Sequence, residues 1–113
     1  MRPITTRMMS VAFLGLGLSF LPRAVASHWF RVPDASQLRW LLDSSEHVYL
    51  RNLNSFDSTV LGCCYNYYLD LTTNLGRQQW ASLQVRMANG SSVWISVNSQ
   101  TQSGAIDFVA DLD

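Results

Sequence analysis

The chain has 113 residues, with 8 basic and 8 acidic side chains and 48% hydrophobic residues. That composition fits one globular domain and excludes collagen-like, low-complexity and strongly charged disordered chains. The neutral total hides an asymmetry, because the first segment reads as a removable leader.

Residues 1–26 have the pattern of a secretory signal peptide. Arg2 and Arg7 give a positive start, Met8 to Leu21 is apolar, and Ala24-Val25-Ala26 places small residues at the cleavage positions. The apolar run of about 14 residues is short of the roughly 20 needed to cross a bilayer core, so no membrane span is expected after processing. Cleavage after Ala26 would leave 87 residues, Ser27 to Asp113, with five arginines, no lysine and eight acids. A net negative surface without a polybasic patch argues against nucleic acid and anionic membranes as partners. The expected location is secreted or periplasmic, and the expected organisation is a single domain over 27–113.

Asp34-Ala35-Ser36-Gln37 fits a helix N-cap with Gln three positions on, and Leu38, Leu41 and Leu42 follow at helical spacing. A short helix is expected over about 35–42. From Glu46 the period changes to two: His47, Tyr49 and Arg51 take one face and Val48 and Leu50 the other, as in a strand. Asn52 to Ser58 is a turn. Thr59 to Thr72 is a long β-favouring run, read as one bent strand or two short ones, with Gly62 and Asn66 as bend points.

Thr73 or Asn74 caps the next element. Gly76, Trp80, Leu83 and Met87 lie on one face of a helix, and Asn89-Gly90 ends it. Val93, Ile95 and Val97 alternate with Trp94, Ser96 and Asn98 as a strand, followed by a polar loop over Ser99 to Gly104. Ala105 to Leu112 alternates again, with Ile106, Phe108, Ala110 and Leu112 expected inward and Asp107 and Asp111 outward.

Strands interrupted midway by one helix are the arrangement of a small OB-like antiparallel β-barrel, giving an α+β fold preceded by a short N-terminal helix. Asn74 to Val97, a helix followed by GSSVWISV, resembles the corresponding segment of the B subunits of AB5 toxins, in the subtilase-cytotoxin, typhoid-toxin and pertussis-like group. His47 to Thr72 and Ala105 to Leu112 fit that group's strand order. The resemblance implies a non-enzymatic, oligomeric, carbohydrate-binding module with an A-type toxin partner. It also implies rings with helices at the centre, placing Gln78, Gln84 and Arg86 towards a partner or central pore. The group's disulfide between distant strands has no counterpart here. Fold likeness alone does not carry function, and a secreted protein-interaction module without a glycan site is the competing expectation.

Tyr65-Asn66-Tyr67-Tyr68 is the most distinctive cluster. Aromatic faces with nearby amides and hydroxyls suit sugars, and the same rings also suit a packing ladder inside a barrel. Tyr65 and Tyr67, with Ser55 and Asp57 from the preceding turn, are the expected ligand-binding residues. Trp94 joins Gln84 and Arg86 as an expected oligomer or partner interface. Cys63 and Cys64 are adjacent, and neighbours on a strand point to opposite faces. Three states stay open for them: two small thiols, an intermolecular disulfide, or a bond to each other. No Cys/His spacing suggests a metal. No cofactor is expected. With no GxSxG, and only His28 and His47 as candidate bases, no catalytic site is expected either.

Overall fold

Alternation of apolar and polar side chains sets most of the strands in the computed structural model, which describes residues 27–113. The signal segment expected at 1–26 lies outside the described residues. The elements run β1 (His28–Val32), a 3-10 turn (Ala35–Gln37), β2 (Trp40–Leu42), β3 (His47–Arg51), a second 3-10 turn (Leu53–Ser55), β4 (Tyr65–Asp70), α1 (Asn74–Asn89), β5 (Val93–Val97) and β6 (Gly104–Ala110). They make an α+β fold of one helix and a mixed sheet. The sheet has six strands in the order β1-β5-β6-β4-β3-β2 and is not closed. Its ladders are antiparallel except between β4 and β6, which run parallel at Tyr67↔Gly104 and Tyr68↔Ala105.

The core is built mainly from the inward side chains of the sheet, with α1 packed against β4, β6 and the first 3-10 turn. Phe30 and Val32 of β1, Val48 and Leu50 of β3, Tyr67 and Leu69 of β4, and Val93, Ile95 and Val97 of β5 point into it, with Leu83 from the helix. Each fully buried aliphatic side chain of this kind contributes about 1.5–3 kcal/mol. The helix follows the sequence reading closely. Thr73 caps it by accepting from the Gly76 amide, and Gly90 ends it in the left-handed conformation. Gly76 and Leu83 are buried, with Trp80 and Met87 packed against the core. Gly76 is obligatory for close packing, because a Cβ there would stand 1.8 Å from the Asp70 carbonyl oxygen.

The structure differs from the sequence reading at three places. The helix over 35–42 is a single 3-10 turn followed by strand β2. Asp34 accepts from the Ser36 amide and hydroxyl, closing the turn locally, and only Leu38 of its three leucines is buried. Trp40, Leu41 and Leu42 instead pair with Leu50, Tyr49 and Val48. Second, His28–Val32, to which the sequence assigned no element, is a strand in which Phe30 and Val32 alternate with Trp29 and Arg31. Third, β6 changes parity at a bulge between Ser96 and Val97, where Asp107 is the extra residue. A one-residue insertion moves all later side chains to the other face. Ile106 therefore points inward while Phe108 is exposed, Val109 packs against the core, and Leu112 is exposed beyond the strand.

A candidate binding face on β3 and β4

The outward residues of two neighbouring strands assemble an aromatic platform. Val48 and Leu50 are buried, so His47, Tyr49 and Arg51 of β3 face away from the core. Tyr67 and Leu69 are buried, so Tyr68 and Asp70 of β4 do the same, while Asn66 is the extra residue of a bulge that sets the exposed Tyr65 opposite Arg51. The register places Tyr49 opposite Tyr68 and His47 opposite Asp70. His47 and Tyr68 stack with ring centroids 4.3 Å apart and planes 18° from parallel. Tyr49 closes the group, 5.3 Å from Tyr68 and 6.0 Å from His47. All three rings are half-buried, so each keeps part of its surface open to solvent.

Charged and polar groups flank the rings. Asp70 lies 3.7 Å from His47 Nε2, and its carboxyl is held below the usual range first by the Thr72 hydroxyl, then by the Thr72 amide and by His47. At the other end, Arg51 sits over the Tyr65 ring with its guanidinium carbon 5.9 Å from the centroid. The loop 98–103 closes one side. Ser103 donates to Asn66 Oδ1 at 3.0 Å, Gln100 donates to Thr59 at 2.7 Å, and Tyr67 donates to the Ser99 carbonyl at 2.8 Å. Of these anchors, Ser103 alone reaches the platform side of β4; Tyr67 points inward and holds Ser99 from the core, and Thr59 holds Gln100.

The residues expected at a ligand site do not share one patch. Tyr65 is exposed and pairs with Arg51 at the end of the platform. Tyr67 is 1% exposed, and its hydroxyl both donates to Ser99 and accepts from the Leu61 amide, so its polar capacity is spent inside the fold. Ser55 donates to the Asn52 carbonyl of its own turn. Asp57 belongs to a separate network, 2.6 Å from His28 Nε2 and 2.6 Å from the Thr59 hydroxyl. Thr59, His28 and Asp57 do not form a charge-relay arrangement. The same imidazole nitrogen faces both Asp57 and, at 3.3 Å, Thr59, whereas a relay uses opposite ring nitrogens.

Sequence reasoning passed over His47, Tyr49 and Tyr68 as one site. Its usable signal was alternation in both HVYLR and YNYYLD, but only the strand register puts the outward residues side by side. Of the expected interface residues, Trp94 is half-buried and donates to Asp113 at 2.9 Å. Arg86 pairs with Asp111 at 2.9 Å and donates to the Ser92 carbonyl, while Gln84 is exposed on α1. Cys63 and Cys64 are bonded to each other, one of the three states left open by the sequence. They lie in a bend before β4 and not in the strand, so the opposite-face argument does not apply to them. Among the described residues, no group of three or more His, Cys, Asp or Glu side chains is placed to hold a metal ion.

A second aromatic pair lies on the outward side of β1, β5 and β6. Trp29 and Phe108 stack 5.4 Å apart across Ser96, whose register partners they are. The rings close over a small residue, which explains why Ser96 is fully buried on the outward face.

No family model, curated protein or solved structure matches this chain.

Proposed function

We propose that this chain is an exported, non-enzymatic binding module that takes carbohydrate on the outward face of β3 and β4. The observation that carries the reading is the mutually packed His47, Tyr49 and Tyr68 rings, flanked by Asp70, Arg51 and the amide- and hydroxyl-rich loop 98–103. Open aromatic faces suit the C–H face of a sugar ring. Carboxylate, guanidinium and amide groups suit its hydroxyls.

We place the platform on an OB-like barrel. The helix falls between the third and fourth strands of the β2-β3-β4-β5-β6 series, and β4 pairs in parallel with β6. β1 and β2 are consecutive in sequence yet stand at opposite ends of the sheet order, as two halves of one interrupted first strand would. In that architecture the outer face of the second and third strands, here β3 and β4, takes oligosaccharides and oligonucleotides. The net negative charge of residues 27–113 favours sugar over a polyanion. The element order is similar to that of AB5 toxin B subunits, and an A-type partner and self-association belong to the same proposal. A protein receptor is the second reading, favoured by the exposed Trp29–Phe108 pair away from the platform.

A broad glycan array probed with the purified protein and with Tyr68→Ala tests the proposal. Specific glycan binding that weakens at least tenfold in the variant, about 1.4 kcal/mol, supports it. A folded variant that binds as the parent does, or a parent that binds no glycan, overturns it.

A further inference from the structure

The edge strand β2 combines an open backbone with a palindromic charge pattern. It ends the sheet, pairing only with β3. All three of its side chains are large, apolar and about half exposed: Trp40 at 48%, Leu41 at 47% and Leu42 at 51%. Edge strands are usually blunted by a charge, a proline or a bulge within the strand, because their free amides and carbonyls template another chain. β2 has none of these, and its charges stand just outside it, as Arg39-Trp40-Leu41-Leu42-Asp43.

The backbone phase shows which groups are free. The Arg51 amide donates to the Arg39 carbonyl at 2.8 Å, and the Asp43 amide donates to the His47 carbonyl at 3.1 Å. In an antiparallel ladder these bonds recur at every second residue, so positions 39, 41 and 43 bond towards β3. The amides and carbonyls of Trp40 and Leu42 then point to the open edge.

From this geometry we infer that β2 pairs antiparallel with β2 of a second copy of this chain, in the register centred on Leu41. That register sets Trp40 against Leu42 of the other copy, twice, so the four free amide and carbonyl pairs satisfy one another. It sets Leu41 against Leu41 on the dyad. It also sets each Arg39 against an Asp43 of the other copy, so the flanking charges are complementary on both sides. A shift by one residue in either direction breaks both the backbone phase and the charge match. Asp43 uses Oδ1 for the Ser45 amide and hydroxyl and for the His47 amide, and no described hydrogen bond engages Oδ2.

Such an isologous contact closes at two copies and does not build a ring. It joins two sheets edge to edge and continues the outward row Leu41–Tyr49–Tyr68 across the dyad. Two platforms then face ligand on one assembly, raising avidity for clustered ligands without new contacts to each. The inference rests on the edge alone and stands or falls independently of what the platform binds.

Residue 41 is the one position that meets itself, which gives a direct test. Light scattering or sedimentation follows the mass of the purified protein over a concentration series reaching about 1 mM. The parent doubles its mass. Leu41→Lys and Leu41→Glu each weaken association at least tenfold, because like charges meet on the dyad. Mixed in equal amounts at low salt, the two variants recover a dimer containing one of each. Arg39→Asp also weakens the dimer, and circular dichroism shows that all three variants keep the parental fold. A parent that stays monomeric throughout, an assembly larger than two, variants that dimerise as the parent does, or a mixture that stays monomeric each overturn the inference.

Discussion

Gly76→Ala is the sharpest test of how α1 is seated. Alanine is the better helix former by about 1 kcal/mol, so helix propensity alone forecasts a more stable protein. The packing forecasts the reverse. The new Cβ would lie 1.8 Å from the Asp70 carbonyl oxygen and 2.6 Å from its carbon, against an ordinary carbon–oxygen approach of about 3.3 Å. Backbone blocks it on both elements, so the first turn of α1 must retreat from β4 by about 1.5 Å. That retreat pulls the Gly76 amide from the Thr73 hydroxyl and the Thr73 hydroxyl from the Asp70 carbonyl, both 2.9 Å bonds. A lost cap costs about 1 kcal/mol, and forced repacking beneath Leu83 and Trp80 costs about 1–3 kcal/mol more. After the propensity gain the net loss is about 2 kcal/mol, or a fall in Tm of roughly 10–15 °C for a domain of this size. Thermal and urea unfolding followed by circular dichroism measure it. Ala88→Gly, at an exposed helical position, serves as the pure propensity control. If Gly76→Ala melts at or above the parent, the close seating of the helix on Asp70 is wrong.

Other outcomes follow from the same contacts. Tyr67→Phe keeps the buried ring but strips partners from the Leu61 amide and the Ser99 carbonyl, so urea unfolding should show a loss of about 1–2 kcal/mol with glycan binding retained. Ser96→Ala removes a fully buried hydroxyl that has no hydrogen-bond partner under Trp29 and Phe108, so thermal unfolding should show a neutral or slightly raised Tm. The Asp57 carboxyl is held down at about 2 by the Thr59 hydroxyl, by His28 and by the Thr59 amide. A depressed acid adds stability above its unfolded pKa of about 3.9 and loses it as pH falls through the folded value. The parent should therefore lose about 1–2 kcal/mol between pH 4 and 2, after solvent screening is allowed for, and Asp57→Asn should show a flatter profile in the same melts.

How much of this was legible in the sequence varied with how local the controlling contacts are. Thr73, the Gly76-Trp80-Leu83-Met87 face and Gly90 define α1 within one segment, and the structure places that helix where the pattern does. β2 misled because Leu38, Leu41 and Leu42 match a helical period, while the pairing of Trp40–Leu42 with β3 is a non-local contact. The inward and outward sides of β6 were legible up to Asp107 and reversed after it, because a bulge is defined by the partner strand. The Tyr-rich segment was recognisable as chemically distinctive. Which of its rings face out depends on β4 starting at Tyr65 and burying Tyr67, and on β3 lying beside it to bring His47 and Tyr49 to Tyr68. Residue types alone put Tyr67 among binding groups; its hydrogen bonds to Ser99 and Leu61 put it in the core.

The most direct measurement of the central claim is an amide NMR titration of the purified protein with the strongest glycan from the array. The account predicts saturable shifts concentrated at His47, Tyr49, Asn66, Tyr68 and Asp70 and in the loop 98–103, with β1 and α1 unmoved. Shifts centred on Trp29 and Phe108, or no saturable shift at all, would contradict it.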